Sequence, residues 1–168
     1  MARHRVAITG LGLVSPYGGD LEDFFQRVWA GESAVRWMVT EDEPRPLRLP
    51  YVRCEGFDAD RELGKPLASM MERFSQLGMA AVFKAWRHAG LARSAAEDGS
   101  DRRQWGCLWG TALGGLAAHE RGARELWLKG RERVSPLSVV MGMNNAANAH
   151  ISIQLGLGGV SSSHTAAC

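Results

Sequence analysis

A length of 168 residues, with 45% hydrophobic and 23% charged residues, predicts a single folded domain with enough apolar material for a core. The net charge of +2 excludes a general affinity for nucleic acid or for acidic membranes, so neither is expected as a partner. Three widely spaced cysteines suggest neither a disulfide framework nor a Cys-x-x-Cys metal site, and a reducing cytoplasm is the simplest compartment. No stretch approaches the ~20 apolar residues of a membrane span.

The amino-terminal part predicts a strand, a helix and an exposed excursion. Val6–Thr9 is a short apolar run typical of a buried strand, and "GLGLVSPYGG" follows it. The segment "LEDFFQRVWA" predicts a helix that Asp20 caps and Gly31 ends. Three prolines and many charges over residues 41–50 favour an irregular, exposed segment.

The clearest helical pattern is "SMMERFSQLGMAAVFKAWRHAGL". Ser69 and Glu72 stand in the capping-box relation, and Gly90 provides the carboxyl-terminal stop. The predicted packing stripe is rich in small residues, so we expect close packing against another helix or a sheet. Its members are Phe74, Leu77, Gly78, Ala81, Val82, Ala85 and Ala89.

The second half alternates strands and helices. "WGCLWG" predicts a buried strand with Cys107 in the core, "GTALGG" a turn, and "LAAHERGARELWLKG" a helix. A further helix is predicted over residues 137–155, ended by Gly156, and "GGVSSSHTA" predicts a strand leading to Cys168. This alternation indicates an α/β fold with a layered sheet. One face of the last helix carries three amide side chains, which would need hydrogen-bond partners if they are buried. They belong to Asn144, Asn145 and Asn148.

Three other patterns argue against dinucleotide binding, metal binding and docking of an anionic partner, in that order. "GLG" at residues 10–12 lacks the third glycine of a dinucleotide fingerprint, because Ser15 and Pro16 follow it and no helix opens there. The five histidines show no metal-binding spacing, so no metal site is expected. One cluster of basic residues lies on both sides of a predicted helix end. We interpret it as a solvated face rather than a docking site for an anionic partner. It comprises Arg121, Arg124, Lys129, Arg131 and Arg133.

Cys168 is the strongest candidate for catalysis. A free thiol has a pKa near ~8.5, so a nucleophilic cysteine needs an environment that favours the thiolate, such as a helix amino terminus after a strand. The small residues "TAA" before Cys168 would permit such a bend. By residue type alone, however, an inert cysteine is the favoured interpretation.

Six blocks taken together resemble the N-terminal half of the β-ketoacyl-ACP synthases, the condensing enzymes of fatty-acid and polyketide assembly. Their order and spacing match over nearly the whole chain. The blocks are "VAITGLGLVSPYG", "FFQRVWAGESAV", "MERFSQLGMAAVFKAWRHAGL", "GTALGGL", "SPLSVVMGMNNAANAHISIQLGLGG" and "SSSHTAAC".

The resemblance implies a thiolase-like layered α-β-α-β-α fold made of two duplicated halves, of which residues 1–168 would be the first. It also implies that "GGVSSSHTA" lies at a dimer interface, in a homodimer or in a heterodimer with a related ketosynthase-like subunit. Cys168 would begin a buried helix and act as the acyl-accepting nucleophile. The two histidines and the lysine that assist decarboxylation in the family lie in its second half.

The implied reaction is decarboxylative condensation of an acyl thioester with malonyl-ACP. The acyl carrier protein is therefore the implied partner, and no cofactor is expected besides the phosphopantetheine that carries the substrates. Leu113 and Gly114, in "GTALGGL", match positions at the acyl pocket. Leu113 would gate that pocket, and its alternative role is ordinary core packing.

This chain departs from the family pattern at two places. Ala166 stands two residues before the cysteine, where the family usually has Thr or Ser, and Lys65 is alone where the family often has several basic residues for carrier docking. Two alternatives stay open: a non-catalytic partner of the chain-length-factor kind, and an isolated interaction module. The presence of Cys168 speaks against the first. The apolar surfaces and the open sheet edge that an isolated half would expose speak against the second.

Overall fold

A computed structural model describes residues 5–40 and 45–166 of the chain, so Cys168 lies outside the described residues. Its elements follow in chain order, with helices and strands numbered separately. They are α1 Leu21–Trp29, β1 Arg36–Val39, β2 Arg48–Tyr51, α2 Ala59–Leu63, α3 Lys65–Ala68, α4 Arg73–His88, α5 Ala95–Asp98, β3 Cys107–Thr111, α6 Leu116–Ala123, a π-helical turn Arg124–Leu128, α7 Leu137–Gly142, α8 Ala146–Leu155 and β4 Ser161–Thr165.

Two pairs of strands organise these helices. β1 and β2 form an antiparallel hairpin in which Arg36 is paired with Tyr51. β3 and β4 run parallel, with Cys107 paired with Ser161 and Thr111 with Thr165. A parallel pair needs a long crossover connection, and α6, α7 and α8 provide it here. The predicted α/β class and the predicted strand in "GGVSSSHTA" are confirmed.

The core lies where α4 and α8 pack together and α8 packs on β3 and β4. Met79 and Phe83 of α4 and Ile151 and Leu155 of α8 are buried in it. Cys107 is only half-buried, although it packs against this cluster as the strand prediction expected. The remaining members are Leu63, Ala68, Met71 and Ala80.

Close backbone packing occurs on the small-residue stripe of α4. A Cβ atom on Gly12 would collide with the backbone of Ala81 and Ala85, and one on Gly78 would collide with the Trp109 ring of β3. The expected close approach to a sheet is therefore present. The stripe itself is only half-buried, because the deepest α4 positions lie beside it at Ser75, Met79, Ala80 and Phe83.

The prediction of a buried strand at Val6–Thr9 is wrong. This segment has no strand assignment, and the Val6 side chain is 92% exposed. A strand is defined by its ladder of hydrogen bonds, and no described residue pairs with this segment. Apolar composition alone could not provide that partner.

The prediction of an irregular segment over residues 41–50 is wrong for residues 48–50. They are exposed, as predicted, but they belong to strand β2. Pro50 has no N–H to donate, yet it fits because β2 is the edge of a two-stranded hairpin. The part of the excursion over residues 41–44 lies outside the described residues.

The capping box of Ser69 and Glu72 is wrong as well. The Ser69 hydroxyl donates to the Pro66 carbonyl at 2.9 Å, and α4 begins at Arg73 with Glu72 as an N-cap residue whose side chain makes no capping bond. Glu72 instead forms an ion pair with Arg121 of α6. Burial of Glu72 explains this choice, since a buried carboxylate requires a charged partner.

The single helix predicted over residues 137–155 is two helices. The chain turns at Met143, whose ψ of 138° is extended, and α8 then starts after Asn145. The local end signals were correct elsewhere. Asp20 accepts a hydrogen bond from the Asp23 N–H at 2.9 Å, and Gly31 and Gly156 have φ angles of +72° and +64° beyond their helices.

Candidate active site at the carboxyl end of the parallel strands

The two parallel strands end side by side. Thr165 of β4 is paired with Thr111 of β3, and the Ala166 N–H donates to the Thr111 carbonyl at 3.2 Å. Cys168 comes two residues after Ala166 in the sequence, outside the described residues. The segment that leads to Cys168 and the turn that follows β3 therefore leave the sheet at the same edge.

The turn after β3 is built by hydrogen bonding and by glycine. Thr111 Oγ1 accepts from the Gly114 N–H at 3.1 Å. Gly114 has a φ of +52°, and a Cβ there would lie 2.9 Å from the Asn144 Cα atom, so conformation and space both require glycine. Leu113, at the tip of this turn, is 65% exposed, so it is not packed into the core of the described residues.

Asn148 of α8 holds β4 against the helices. It is 2% exposed, and its Nδ2 donates to Ser163 Oγ at 3.2 Å while its Oδ1 accepts from Ser161 Oγ at 2.9 Å. Ser152 adds a longer bond of 3.5 Å to the same oxygen. The partners that the amide-rich face was expected to need are thus the serines of β4 for Asn148, while Asn144 lies against Gly114.

The described histidines are scattered rather than clustered. His119 Nε2 lies 3.2 Å from the Gly142 carbonyl, and His88 Nδ1 accepts from the Leu11 N–H at 3.0 Å. Burial lowers the pKa of His150, which favours its neutral form at physiological pH. His164 is exposed on β4, with Ser162 Oγ 3.4 Å from its Nε2. Within residues 5–40 and 45–166, no group of His, Cys, Asp and Glu is arranged to hold a metal ion.

The two described cysteines are poor candidates for a nucleophile. Burial raises the pKa of the Cys107 thiol, which keeps it protonated. Cys54 is half-buried, and its carbonyl accepts from Arg73 at 2.9 Å. Neither cysteine lies at the carboxyl edge where β3 and β4 end.

The basic cluster after α6 is mostly neutralised. Arg124 binds Glu120 at 2.9 Å, and Lys129 and Arg131 bind Glu125 at 2.6 and 2.7 Å. Arg121 is held by Glu72. These pairs favour the solvated-face interpretation over an anionic docking patch.

One site residue was missed by sequence reasoning. The Thr111 side chain accepts a hydrogen bond from the Gly114 N–H, and its carbonyl accepts one from the Ala166 N–H. Thr111 therefore contacts both the turn after β3 and the end of β4. A threonine at the junction between an apolar strand and a glycine-rich turn was the available signal, because a hydroxyl there can accept a turn N–H.

The profile of the family described as "Beta-ketoacyl synthase, N-terminal domain" matches residues 3–168. The chain belongs to the β-ketoacyl synthase family. Among its relatives, a 3-oxoacyl-[acyl-carrier-protein] synthase 2 of Vibrio cholerae is 31% identical over 100% of this chain and 40% of that protein. A chloroplastic 3-oxoacyl-[acyl-carrier-protein] synthase I of Arabidopsis thaliana is 30% identical over 99% of this chain and 35% of that protein. The chain thus spans the N-terminal part of these synthases, well under half of their length.

Solved ketosynthases share the fold. The ishigamide ketosynthase/chain length factor superposes with a TM-score of 0.80 at 24% identity, over 99% of this chain and 41% of that one. A type II polyketide ketosynthase (AntDE) in complex with its acyl carrier protein (AntF) superposes with a TM-score of 0.70 at 20% identity, over 97% and 42%. The thiolase-like fold expected from the sequence is confirmed by these neighbours. No helix of the described residues has the length and apolar character needed to cross a membrane.

Proposed function

We propose that this chain is the nucleophile-bearing part of an acyltransferase that condenses an acyl thioester with malonyl-ACP, in fatty-acid or polyketide elongation. The observation that carries the proposal is the shared carboxyl edge of β3 and β4. There Ala166, two residues before Cys168, is bonded to Thr111, and Thr111 also closes the Leu113–Gly114 turn. The described chain therefore reaches Ala166, two positions before Cys168 in the sequence, at the edge where this turn begins.

The proposed reaction has two transfers at Cys168. In the first, its thiolate attacks the carbonyl carbon of the acyl thioester, and the phosphopantetheine thiol of the carrier protein leaves with a proton. In the second, malonyl-ACP loses carbon dioxide, and the electron pair of the broken C–C bond attacks the carbonyl carbon of the Cys168 thioester. A new C–C bond forms as the C–S bond to Cys168 breaks, which returns the cysteine thiolate. Backbone N–H groups, that of Cys168 among them, hold the oxyanion formed in each step.

The turn after β3 supplies the acyl side of the proposed site. Leu113 is exposed at the edge where β3 ends, so its side chain is available to act as the gate of the acyl chain. The Gly114 N–H donates to Thr111, and the missing side chain of Gly114 lets Asn144 approach the turn. These two contacts hold the turn in which Leu113 lies. We therefore assign Leu113 and Gly114 to substrate binding.

The proposed partners follow from the same reaction. Acyl carrier protein delivers both substrates on phosphopantetheine, and no other cofactor takes part. A second ketosynthase-like subunit, identical or related, pairs along β4, whose described side chains outside Ser162 and Ser163 are exposed. Because the thiol has to stay reduced, the cytoplasm is the proposed place of action.

Mass spectrometry of the purified polypeptide that carries this sequence tests the proposal. After incubation with an acylated carrier protein, we expect the intact mass to rise by one acyl group and the adduct to map to Cys168. The Cys168→Ser variant should acquire no adduct. The matched control is Cys107→Ser, which removes a half-buried thiol and should be acylated like the parent. An adduct that persists in folded Cys168→Ser protein would refute the assignment.

A further inference from the structure

A cavity of about 340 Å³ lies between α1 and the β1–β2 hairpin. It shares no residue with the Leu113–Gly114 turn or with β4. Three arginines, Arg27, Arg36 and Arg53, line it, together with Tyr17 and Tyr51. Its volume falls within the range of about 300–1,000 Å³ that is usual for small-molecule sites.

One of the three arginines is already neutralised. Arg27 Nε binds Asp23 Oδ1 at 2.9 Å, and its Nη1 binds Glu32 Oε2 at 3.1 Å. Tyr17 fixes the same corner, because its hydroxyl donates to the Glu32 carbonyl at 2.6 Å. The charges of Arg27 and Glu32, which both line the cavity, therefore offset each other.

Among the described residues, the other two arginines form no ion pair. Arg36 Nη1 donates to the Ser33 and Val35 carbonyls at 3.5 and 3.2 Å, and its remaining N–H groups have no protein partner among the described residues. Arg53 lies over the Tyr51 ring, with its Cζ atom 5.1 Å from the ring centroid. Within the described part of the chain, no carboxylate is close enough to form an ion pair with either residue.

The hairpin register brings these two arginines to one place. Arg36 is paired with Tyr51, so the two side chains share a face of the hairpin, and Arg53 follows Tyr51 by two residues. The pair of Val39 and Arg48, at the other end of the hairpin, projects from the opposite face. There the Arg48 Cζ atom lies 4.5 Å from the centroid of the Trp37 ring. The strand pairing thus brings Arg36 to the face of Tyr51, and Arg53 lines the same cavity just beyond the end of β2.

We propose that this cavity binds the phosphate group of a small molecule, with Arg36 and Arg53 as its ligands. A guanidinium fork donates two parallel N–H bonds to a phosphate, and two forks match a dianion better than a single carboxylate. Glu55 is the remaining acidic residue of the lining, and its charge opposes the anion.

Calorimetric titration with inorganic phosphate at constant ionic strength tests this site. Arg36→Gln and Arg53→Gln should each weaken phosphate binding about tenfold, which corresponds to about 1.4 kcal/mol, whereas Glu55→Gln should strengthen it. The matched control is Arg48→Gln, which removes the same charge from the opposite face of the hairpin and should leave the dissociation constant within about twofold.

Several results would overturn the proposal. These are an absence of phosphate binding by the parent protein, an equal loss in Arg48→Gln, or acetate binding as tight as phosphate binding. Circular dichroism of each variant establishes that it is folded. Where Arg53→Gln does not fold, Arg53→Lys replaces it, because it keeps the charge but removes the planar fork and should still weaken binding.

Discussion

The central helices and the amino-terminal helix differ in what their apolar side chains contact. α4 and α8 bury Met79 and Leu155 almost completely, whereas α1 buries none of its residues and Trp29 is 94% exposed. All three lie in segments that the sequence predicts to be helical. The contrast teaches that a helical pattern in the sequence does not by itself decide how deeply the helix is buried, because burial depends on which elements pack against it.

The polar groups of the two regions differ in the same way. In the centre, the buried Arg102 side chain donates to the carbonyls of Ala92, Arg93 and Leu155 at 2.8 Å each, which ties the end of α8 to the segment after α4. In α1 the bonds are local, from Asp20 to its own first turn and from Arg27 to Asp23. The buried Arg102 thus makes a long-range polar contact to α8, whereas these side-chain bonds of α1 stay within the helix and its cap.

Truncation of Met79 tests the comparison most strongly. Met79, on α4, is 0% exposed. Met79→Ala should therefore lower the free energy of unfolding by about 2–5 kcal/mol. Urea denaturation measures the change. The control on α1, Trp29→Ala, should stay within about 0.5 kcal/mol of the parent. Equal losses in the two variants would contradict the contrast between the regions.

Removal of Asn148 should have the next largest effect. Asn148→Ala leaves the hydroxyls of Ser161 and Ser163 without their amide partner and should lower the free energy of unfolding by about 1–3 kcal/mol. Hydrogen exchange should show faster exchange of the β4 amides. Asn145→Ala is the control, because that side chain is exposed and makes no capping bond. A change no larger than that of the control would show that the serines do not depend on Asn148.

The smallest effect is confined to acid. The hydrogen bond from the Ser100 hydroxyl, with the Ser100 and Ala92 N–H groups and Arg102, lowers the pKa of Asp98 to about 2. An unfolded aspartate titrates near ~3.9, so the stabilisation is complete above that pH and is lost as the pH falls through about 2. Stability measured from pH 5 to pH 2 should fall less in Asp98→Asn than in the parent. Glu97→Gln, on the same helix, should follow the parent; identical acid profiles for Asp98→Asn and the parent would contradict the assignment.

Local signals in the sequence predicted local structure well. Asp20, Gly31 and Gly156 mark helix ends through bonds and dihedral angles within a few residues, and each acts as expected. The Gly114 turn follows from the same kind of signal, and the amide-rich face around Asn148 correctly indicated buried polar partners.

Contacts between residues far apart in the sequence could not be predicted from such local signals. Glu72 has the spacing of a capping residue, but its partner is Arg121, which lies 49 residues away in the sequence. The Val6–Thr9 segment has strand composition without a described partner, and Pro50 is tolerated in β2 because that strand is an edge. The role assigned to Cys168 came from the family resemblance, since residue type alone favoured an inert thiol.

The parallel pairing of β3 and β4 also has a consequence for the order in which the molecule is made. Thr111 ends β3, and Ser161 begins β4 only 50 residues later. At a synthesis rate of about 5–20 residues per second, the first strand leaves the ribosome roughly 2–10 s before its partner exists. During that interval the growing chain holds an unpaired strand edge beside a finished turn. The shared carboxyl edge of β3 and β4 can therefore form only after α6, α7 and α8 have been synthesised.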